Sequence, residues 1–375
     1  SLYSYQLRAV LQLAIEDPHR AVTYVGFACA GAEVIVGLFQ RYKGTEWAPH
    51  PPDLPQLGAV SRSQCGDNPV KEEKVPTAYT IGGEVPRLRD VFVTACPRSR
   101  SRPIDLIFVS IGGNDIGFSS IVANAVLLGD SMLRQLGGWM GQVSTGEEAI
   151  GKLKALRLAY KALNRALHAQ LHIPWSESDR IILTAYPKMG IQADGEQVCP
   201  SGTTGMEVFP GFDRSNANID EGEQVSEALH LVMKQSAVAF DWTYVDRHRT
   251  TFAGHSVCDG TIDPKGPIAE QLSFPRRVDG LWFPYNPSWY EPYASRRRWF
   301  RTPNDAFLTG NFHLEKSVLK SVLSINDSAI QVLLASTYSG AFHPTAEGHA
   351  AMADAVVEKA REIIERRARP AVSSN

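Results

Sequence analysis

Ile104-Asp105-Leu106-Ile107-Phe108-Val109-Ser110-Ile111-Gly112-Gly113-Asn114-Asp115 is the stretch on which the reading of this chain turns. Its first half is apolar and rich in β-branched residues, the pattern of a strand buried on both faces of a parallel sheet. The run stops at two glycines, which let a backbone turn tightly and approach a ligand. Asn114 then stands at the carboxyl end of the strand, with an amide able to donate to an oxygen. One such donor aimed at a developing oxyanion is worth about 2.7–4 kcal/mol in a transition state. Taken alone, Gly-Gly-Asn-Asp also fits a simple Asx-turn.

Working outward, three more runs carry the strand signature: residues 21–29 (AVTYVGFAC), 180–186 (RIILTAY) and 240–246 (FDWTYVD). Helical patterns lie between them. The first covers residues 4–16. The second covers 152–171, where Leu153, Leu156, Tyr160, Leu163 and Leu167 form one apolar stripe. Two more cover 221–239 and 345–367. Strands alternating with helices predict an α/β protein, a three-layer α/β/α sandwich around a parallel sheet. Sites in such sheets lie in the loops that follow the carboxyl ends of the strands. No linker divides the chain, so residues 1–375 read as one domain with insertions at about 41–87 and 254–312. The second insertion is aromatic, with Trp282, Phe283, Tyr285, Trp289, Tyr290, Tyr293, Trp299 and Phe300. It reads equally as a lid or substrate wall and as a surface decoration with its own small core. Arg296, Arg297, Arg298 and Arg301 beside it read as a solvated basic rim rather than a site for an anion.

Two further segments carry chemistry. In Phe342-His343-Pro344-Thr345, the Pro-Thr pair reads as the start of the last helix. His343 sits just before that helix, where the positive end of the dipole disfavours imidazolium and keeps the ring neutral, as a general base requires. His349, within the helix and on its apolar stripe, reads as a packed, hydrogen-bonded histidine. In Cys29-Ala30-Gly31-Ala32, small residues at a strand end permit a backbone N–H to face a substrate.

Composition removes several classes of function. The 375 residues carry a formal net charge of -2, so no basic excess points to nucleic acid or an anionic membrane. No apolar run is long enough for a transmembrane helix. The five cysteines form no C-x-x-C pair, which argues against zinc or thioredoxin chemistry. Several lie in Gly/Pro/Asp-rich loops, which fits disulfides and an oxidising compartment. His343 and His349 are six apart rather than at metal-binding i,i+4 spacing, so a metallophosphoesterase is disfavoured and no cofactor is expected.

Together the three blocks resemble the SGNH (GDSL-like) hydrolase family, in particular its secreted bacterial lipase/esterase branch. Gly31 matches the block whose glycine donates a backbone N–H, Gly112/Gly113-Asn114-Asp115 the G-x-N-D block, and His343-Pro344 the block whose histidine is the base. The resemblance spans nearly the whole chain. It implies a flavodoxin-like sandwich and ester hydrolysis by Ser–His catalysis, with Gly31 and Asn114 completing the oxyanion hole. It also implies a small ester or lipid as substrate and a secreted or periplasmic location. The Gly-Asp-Ser block is not found upstream of Cys29, where a helix stands instead of a strand and nucleophile turn. The expectation is that an upstream strand ending in that serine fills the sheet between residues 21–29 and 104–112, in preference to residues 330–335 (IQVLLA). The family's Asp three residues before the histidine is Gly340 here, and the Gly340 carbonyl is expected to orient the imidazole instead. In the family a cysteine near the nucleophile often pairs with the one matched by Cys29. The resemblance thus favours the pairs Cys65–Cys96 and Cys199–Cys258 with Cys29 left over, although four cysteines allow three pairings. The reading from another class is a non-catalytic remnant of the same family that binds an acyl or glycan ligand without turnover.

Overall fold

The computed structural model describes residues 4–42, 53–75, 86–88, 91–127, 143–203, 205–206, 213–259, 276–278, 281–283, 297–303, 305 and 340–368. Its centre is a three-stranded parallel sheet of β3 (Ile107–Val109), β4 (Ile181–Thr184) and β5 (Thr243–Val245), in the order β3-β4-β5. The register sets Val109 beside Leu183, and Leu183 beside Tyr244. Every residue of β4 is buried, as befits a strand with ladders on both sides and helices on both faces. Ile181 and Leu183 point into one apolar cluster, shared with α4 (Gly146–Ala169) and α5 (Asn216–Ala239). Ile182 points the other way, into a cluster built by α1 (Tyr5–Glu16) and α7 (Ala346–Ala368). Period-2 alternation of apolar side chains along one strand thus supplies both cores of an α/β architecture with a small parallel sheet.

The helices start where capping side chains stand. Ser4 accepts the Leu7 N–H to open α1, which then buries Tyr5, Ala9 and Leu13 at i, i+4 and i+8. Thr145 and Glu148 form a reciprocal capping box at the head of α4, whose buried face carries the stripe Leu153, Leu156, Tyr160, Leu163 and Leu167. Ser215 opens α5 at Asn216, five residues before the start expected from apolar spacing. The cap, rather than the first apolar residue, sets the end. The last helix begins at Ala346 instead of Thr345, because Thr345 uses its hydroxyl to accept the Gly348 N–H.

One expected strand is absent. Residues 21–29 enter no sheet, and Val22, Tyr24 and Val25 are 40%, 37% and 52% exposed. An apolar run becomes a strand only where a neighbouring ladder receives its N–H and C=O groups. Among the described residues none lies beside it. The matching observation is on β3, whose edge away from β4 is unpaired among the described residues, and all three of its residues are only half-buried.

The first insertion contributes α2 (Gln56–Cys65) and β1 (Lys71–Lys74), which pairs antiparallel with β2 (Phe92–Ala95). A disulfide joins Cys65 to Cys96 with Cα atoms 5.3 Å apart, and another joins Cys199 to Cys258 at 5.8 Å. Cys29 is in neither. In the second insertion α6 (His248–Thr251) leads in, and β6 (Arg276–Val278) and β7 (Leu281–Phe283) form an antiparallel pair. Tyr285, Trp289, Tyr290, Tyr293, Arg296 and residues 330–335 lie outside the described residues. Arg298 corrects the reading of a solvated rim: it is 2% exposed, donates to the Phe300 carbonyl and pairs with Asp305 at 3.6 Å. Among the described residues no helix is long and apolar enough to cross a membrane.

Because Leu183 is fully buried in the central strand, Leu183→Ala should cost about 2–5 kcal/mol. Urea unfolding followed by circular dichroism checks this: the midpoint should fall with little change in slope.

Candidate active site

At the carboxyl end of β3 the chain turns through Gly112 with φ +120°, a conformation that L side chains rarely adopt. The turn is also crowded. A Cβ on Gly112 would come within 2.3 Å of the Tyr160 hydroxyl, which itself donates to the Ile111 carbonyl at 2.6 Å. On the other side the Gly113 N–H donates to the Tyr186 hydroxyl at 3.1 Å. Tyr160 is buried and Tyr186 half-buried, and desolvation pushes both phenols well above the usual range, so both stay neutral hydrogen-bonding groups. The double glycine is therefore required by the close packing of Tyr160, from α4, and Tyr186, just beyond β4.

The turn ends in two side chains that grip one distant loop. Asn114 Nδ2 donates to the Ala32 carbonyl at 3.0 Å. The Val34 N–H donates to both carboxyl oxygens of Asp115 at 3.1 Å. These bonds span about eighty residues of sequence and bring the Gly31 turn to the sheet end. Gly31 itself has φ +82° in a turn closed by the Ala32 N–H donating to the Cys29 carbonyl. That geometry is a type II turn, which needs a glycine at its third position. An amide nitrogen carries two hydrogens, so Asn114 retains a second donor after binding Ala32. The structure thus brings Gly31 and Asn114 together.

His343 sits in a second cluster. Its backbone N–H donates to the Gly340 carbonyl at 3.2 Å, and its Nδ1 faces the Ala341 carbonyl at 3.0 Å. The orienting carbonyl is therefore that of Ala341, not Gly340 as expected. A carbonyl only accepts, so Nδ1 is the donor in this contact and Nε2 is left facing away from it. The ring is exposed. The turn is held from outside by Arg301, whose N–H donates to the His343 carbonyl at 2.9 Å and whose carbonyl accepts the Phe342 N–H at 2.8 Å. Phe342 adopts φ +63° with its side chain buried. Left-handed backbone at a phenylalanine costs of order 1–3 kcal/mol and persists only where packing over-determines it. Two residues before Arg301, the Trp299 carbonyl accepts the Thr345 N–H at 2.8 Å. Trp299 in turn stacks on His255 with ring centroids 3.6 Å apart. The end of the aromatic insertion thus fixes the histidine turn.

Among the described residues no hydrogen bond joins His343 to Asn114 or to the Gly31 turn; α1 links the two clusters indirectly. Tyr5 stacks on His349 at 6.3 Å, and its hydroxyl lies beside Ser110 and Thr184 at the carboxyl ends of β3 and β4. Burial raises the Tyr5 phenol to about 12. His349 is neutral, held down to about 4 by burial and then by Arg8 and His343. It packs as expected, but its Nδ1 has no hydrogen-bond partner among the described residues. Nothing in the sequence marks Tyr5 or Tyr186 for the site, Tyr160 is marked only as part of the buried stripe of α4, and Asp115 has no role of its own there. The one available signal was that Asp115 directly follows Asn114 in the quoted motif.

No family model matches the chain, and no curated protein matches it. Among solved structures it is similar to the extracellular lipase from Streptomyces rimosus, at 16% identity and a TM-score of 0.32, covering 69% of this chain and 72% of that one. It is also similar to phospholipase A1 from Streptomyces albidoflavus, at 13% identity and a TM-score of 0.26, covering 48% of this chain and 62% of that one. Both likenesses are loose, and what the site can do follows from its own geometry.

Asp115 gives the site a pH signature. Burial raises its carboxyl from 3.8 to about 7, against the opposing pull of the Val34 N–H. The folded state therefore holds a proton that the unfolded state has lost between about pH 4 and pH 7. Its contribution to stability is full below about pH 4 and gone once pH passes about 7. Asp115→Asn keeps an oxygen for Val34 and cannot titrate. Thermal melts from pH 4 to 8 should show stability declining with pH more steeply in the wild type than in this variant.

Proposed function

We propose that this protein is a secreted carboxylic ester hydrolase of the SGNH type, a single three-layer α/β/α domain working by Ser–His catalysis on a small ester or lipid. The observation that carries the reading is the bond from Asn114 to the Ala32 carbonyl, one residue beyond Gly31. It supports a two-donor oxyanion hole made of the Gly31 N–H and the remaining hydrogen of the Asn114 amide. The Ala341 carbonyl on His343 Nδ1 supports the other half, a base whose ring is oriented through Nδ1 so that Nε2 can face the serine. The two disulfides fit an oxidising location outside the cytoplasm.

In this reading a serine Oγ attacks the ester carbonyl while His343 Nε2 takes its proton. The carbonyl oxygen becomes an oxyanion held by Gly31 and Asn114. Collapse expels the alcohol, which receives the proton from His343 and leaves an acyl-enzyme. Water repeats the cycle, with its proton passing to His343 and then to the serine, and the carboxylic acid leaves. No step calls on a cofactor. The serine is carried by a strand that pairs with the edge of β3 left unpaired among the described residues, which would bring its carboxyl end beside residues 110–114. The half-buried state of β3, beside a fully buried β4, supports that placement.

Hydrolysis of p-nitrophenyl esters by the natural full-length protein tests the proposal. His343→Ala should reduce kcat by at least about a thousandfold, and Asn114→Ala by about a hundred- to a thousandfold with KM little changed. Undiminished hydrolysis in His343→Ala would overturn the assignment. Absence of hydrolysis in the wild type, with retained affinity for the same acyl groups, would favour the non-catalytic binding role.

A further inference from the structure

Two clefts stand out on the molecule. The larger, about 370 Å³, lies between α1 and α7 and is lined by Glu16, Arg247, Glu358 and Arg361. Those charges already pair with one another, Arg361 with Glu16 and Arg247 with Glu358, and none of the lining residues belongs to either site cluster. The second is about 230 Å³ and differs in chemistry. Phe27, Cys29, Tyr42, Leu54 and Ala59 line it, with Gln56 as its one side-chain amide.

This second cleft abuts the oxyanion block. Its wall includes Gly37, packed so closely on Ala32 that an added Cβ would come within 2.6 Å of the Ala32 Cβ. Ala32 is the residue whose carbonyl holds Asn114. Phe27 to Cys29 lead directly into Gly31. The floor is fixed by backbone bonds: the Gln56 N–H donates to the Gly37 carbonyl at 2.9 Å, and the Leu57 N–H to the Leu38 carbonyl at 3.2 Å. The first turn of α2 is thereby locked onto the loop that carries the site. We propose that this cleft receives the acyl chain of the substrate, a straight saturated chain of medium length, while the ester carbonyl lies at Gly31 and Asn114.

The volume sets the length. A dry apolar cavity of about 150 Å³ accommodates benzene. The present cleft is about half as large again, which suits roughly six to eight carbons. Each methylene buried in it raises kcat/KM by up to about fourfold until the cleft is full. Specificity should therefore climb from acetate to about hexanoate or octanoate and flatten beyond.

The inference rests on the ester-hydrolase reading, and two measurements on the natural full-length protein separate their failures. The first is kcat/KM for p-nitrophenyl esters from acetate to dodecanoate. Ala59→Trp narrows the cleft and should lower the hexanoate-to-acetate ratio about tenfold. Leu54→Ala widens it and should move the plateau to longer chains, which keeps the test open if the tryptophan variant folds poorly. Unchanged profiles in both variants would overturn the acyl cleft while leaving the hydrolase standing. The second is titration with hexanoate itself by calorimetry, which needs no turnover. Binding to the wild type that Leu54→Ala and Ala59→Trp alter supports the cleft even if no ester is cleaved, an outcome that would overturn the hydrolase reading alone. No binding and no chain-length preference would overturn the cleft.

Discussion

The paired grip of Asn114 and Asp115 on the backbone of Ala32 and Val34 is the constraint on which the site depends. Besides it, the loop of residues 29–40 is held by its own short turns and by the Gln56 and Leu57 N–H groups, which donate to the Gly37 and Leu38 carbonyls. With it, that loop is fastened to the end of the sheet by one neutral and one carboxyl acceptor–donor set. The grip requires the turn at Gly112, and the turn requires a residue without Cβ beneath Tyr160. Packing of α4 against the sheet is therefore felt at Asn114 and the Gly31 turn through a few rigid contacts. A loosened core at Tyr160 would misplace Asn114 without touching it.

The histidine turn is built differently. It depends less on the sheet than on the strand-like bridge between Trp299–Arg301 and Phe342–Thr345, where backbone bonds grip the turn on both sides of His343. The end of the aromatic insertion has a structural task at His343 whatever its remainder does. The Cys199–Cys258 disulfide anchors the entry to the same insertion, because the His255 carbonyl accepts the Trp299 N–H three residues before Cys258.

Much of this could be read from sequence where a residue type has a single physical use. Two glycines before Asn114 mark a crowded turn, and the stripe from Leu153 to Leu167 marks a buried helix face. Both disulfides are those the family resemblance favoured. Reading failed where the deciding partner is far along the chain. Residues 21–29 have the composition of a strand, but strand formation is settled by a neighbour, which composition does not record. The orienting carbonyl on His343 was misplaced by one residue, because the left-handed backbone at Phe342 redirects the turn and phenylalanine gives no warning of it. Tyr5 and Tyr186 carry no local signal, since only the fold sets them beside Ser110 and Gly113.

The edge of β3 that is unpaired among the described residues also bears on how the molecule comes to be assembled. A row of outward N–H and C=O groups is a template for any extended chain that reaches it. Exposed Val22, Tyr24 and Val25 offer an apolar extended segment of the kind such an edge captures. Covering this edge early and from within the same polypeptide is then a race against its capture by another molecule, and that race grows harder with concentration. Folding yield, rather than final stability, is where this feature would make itself felt.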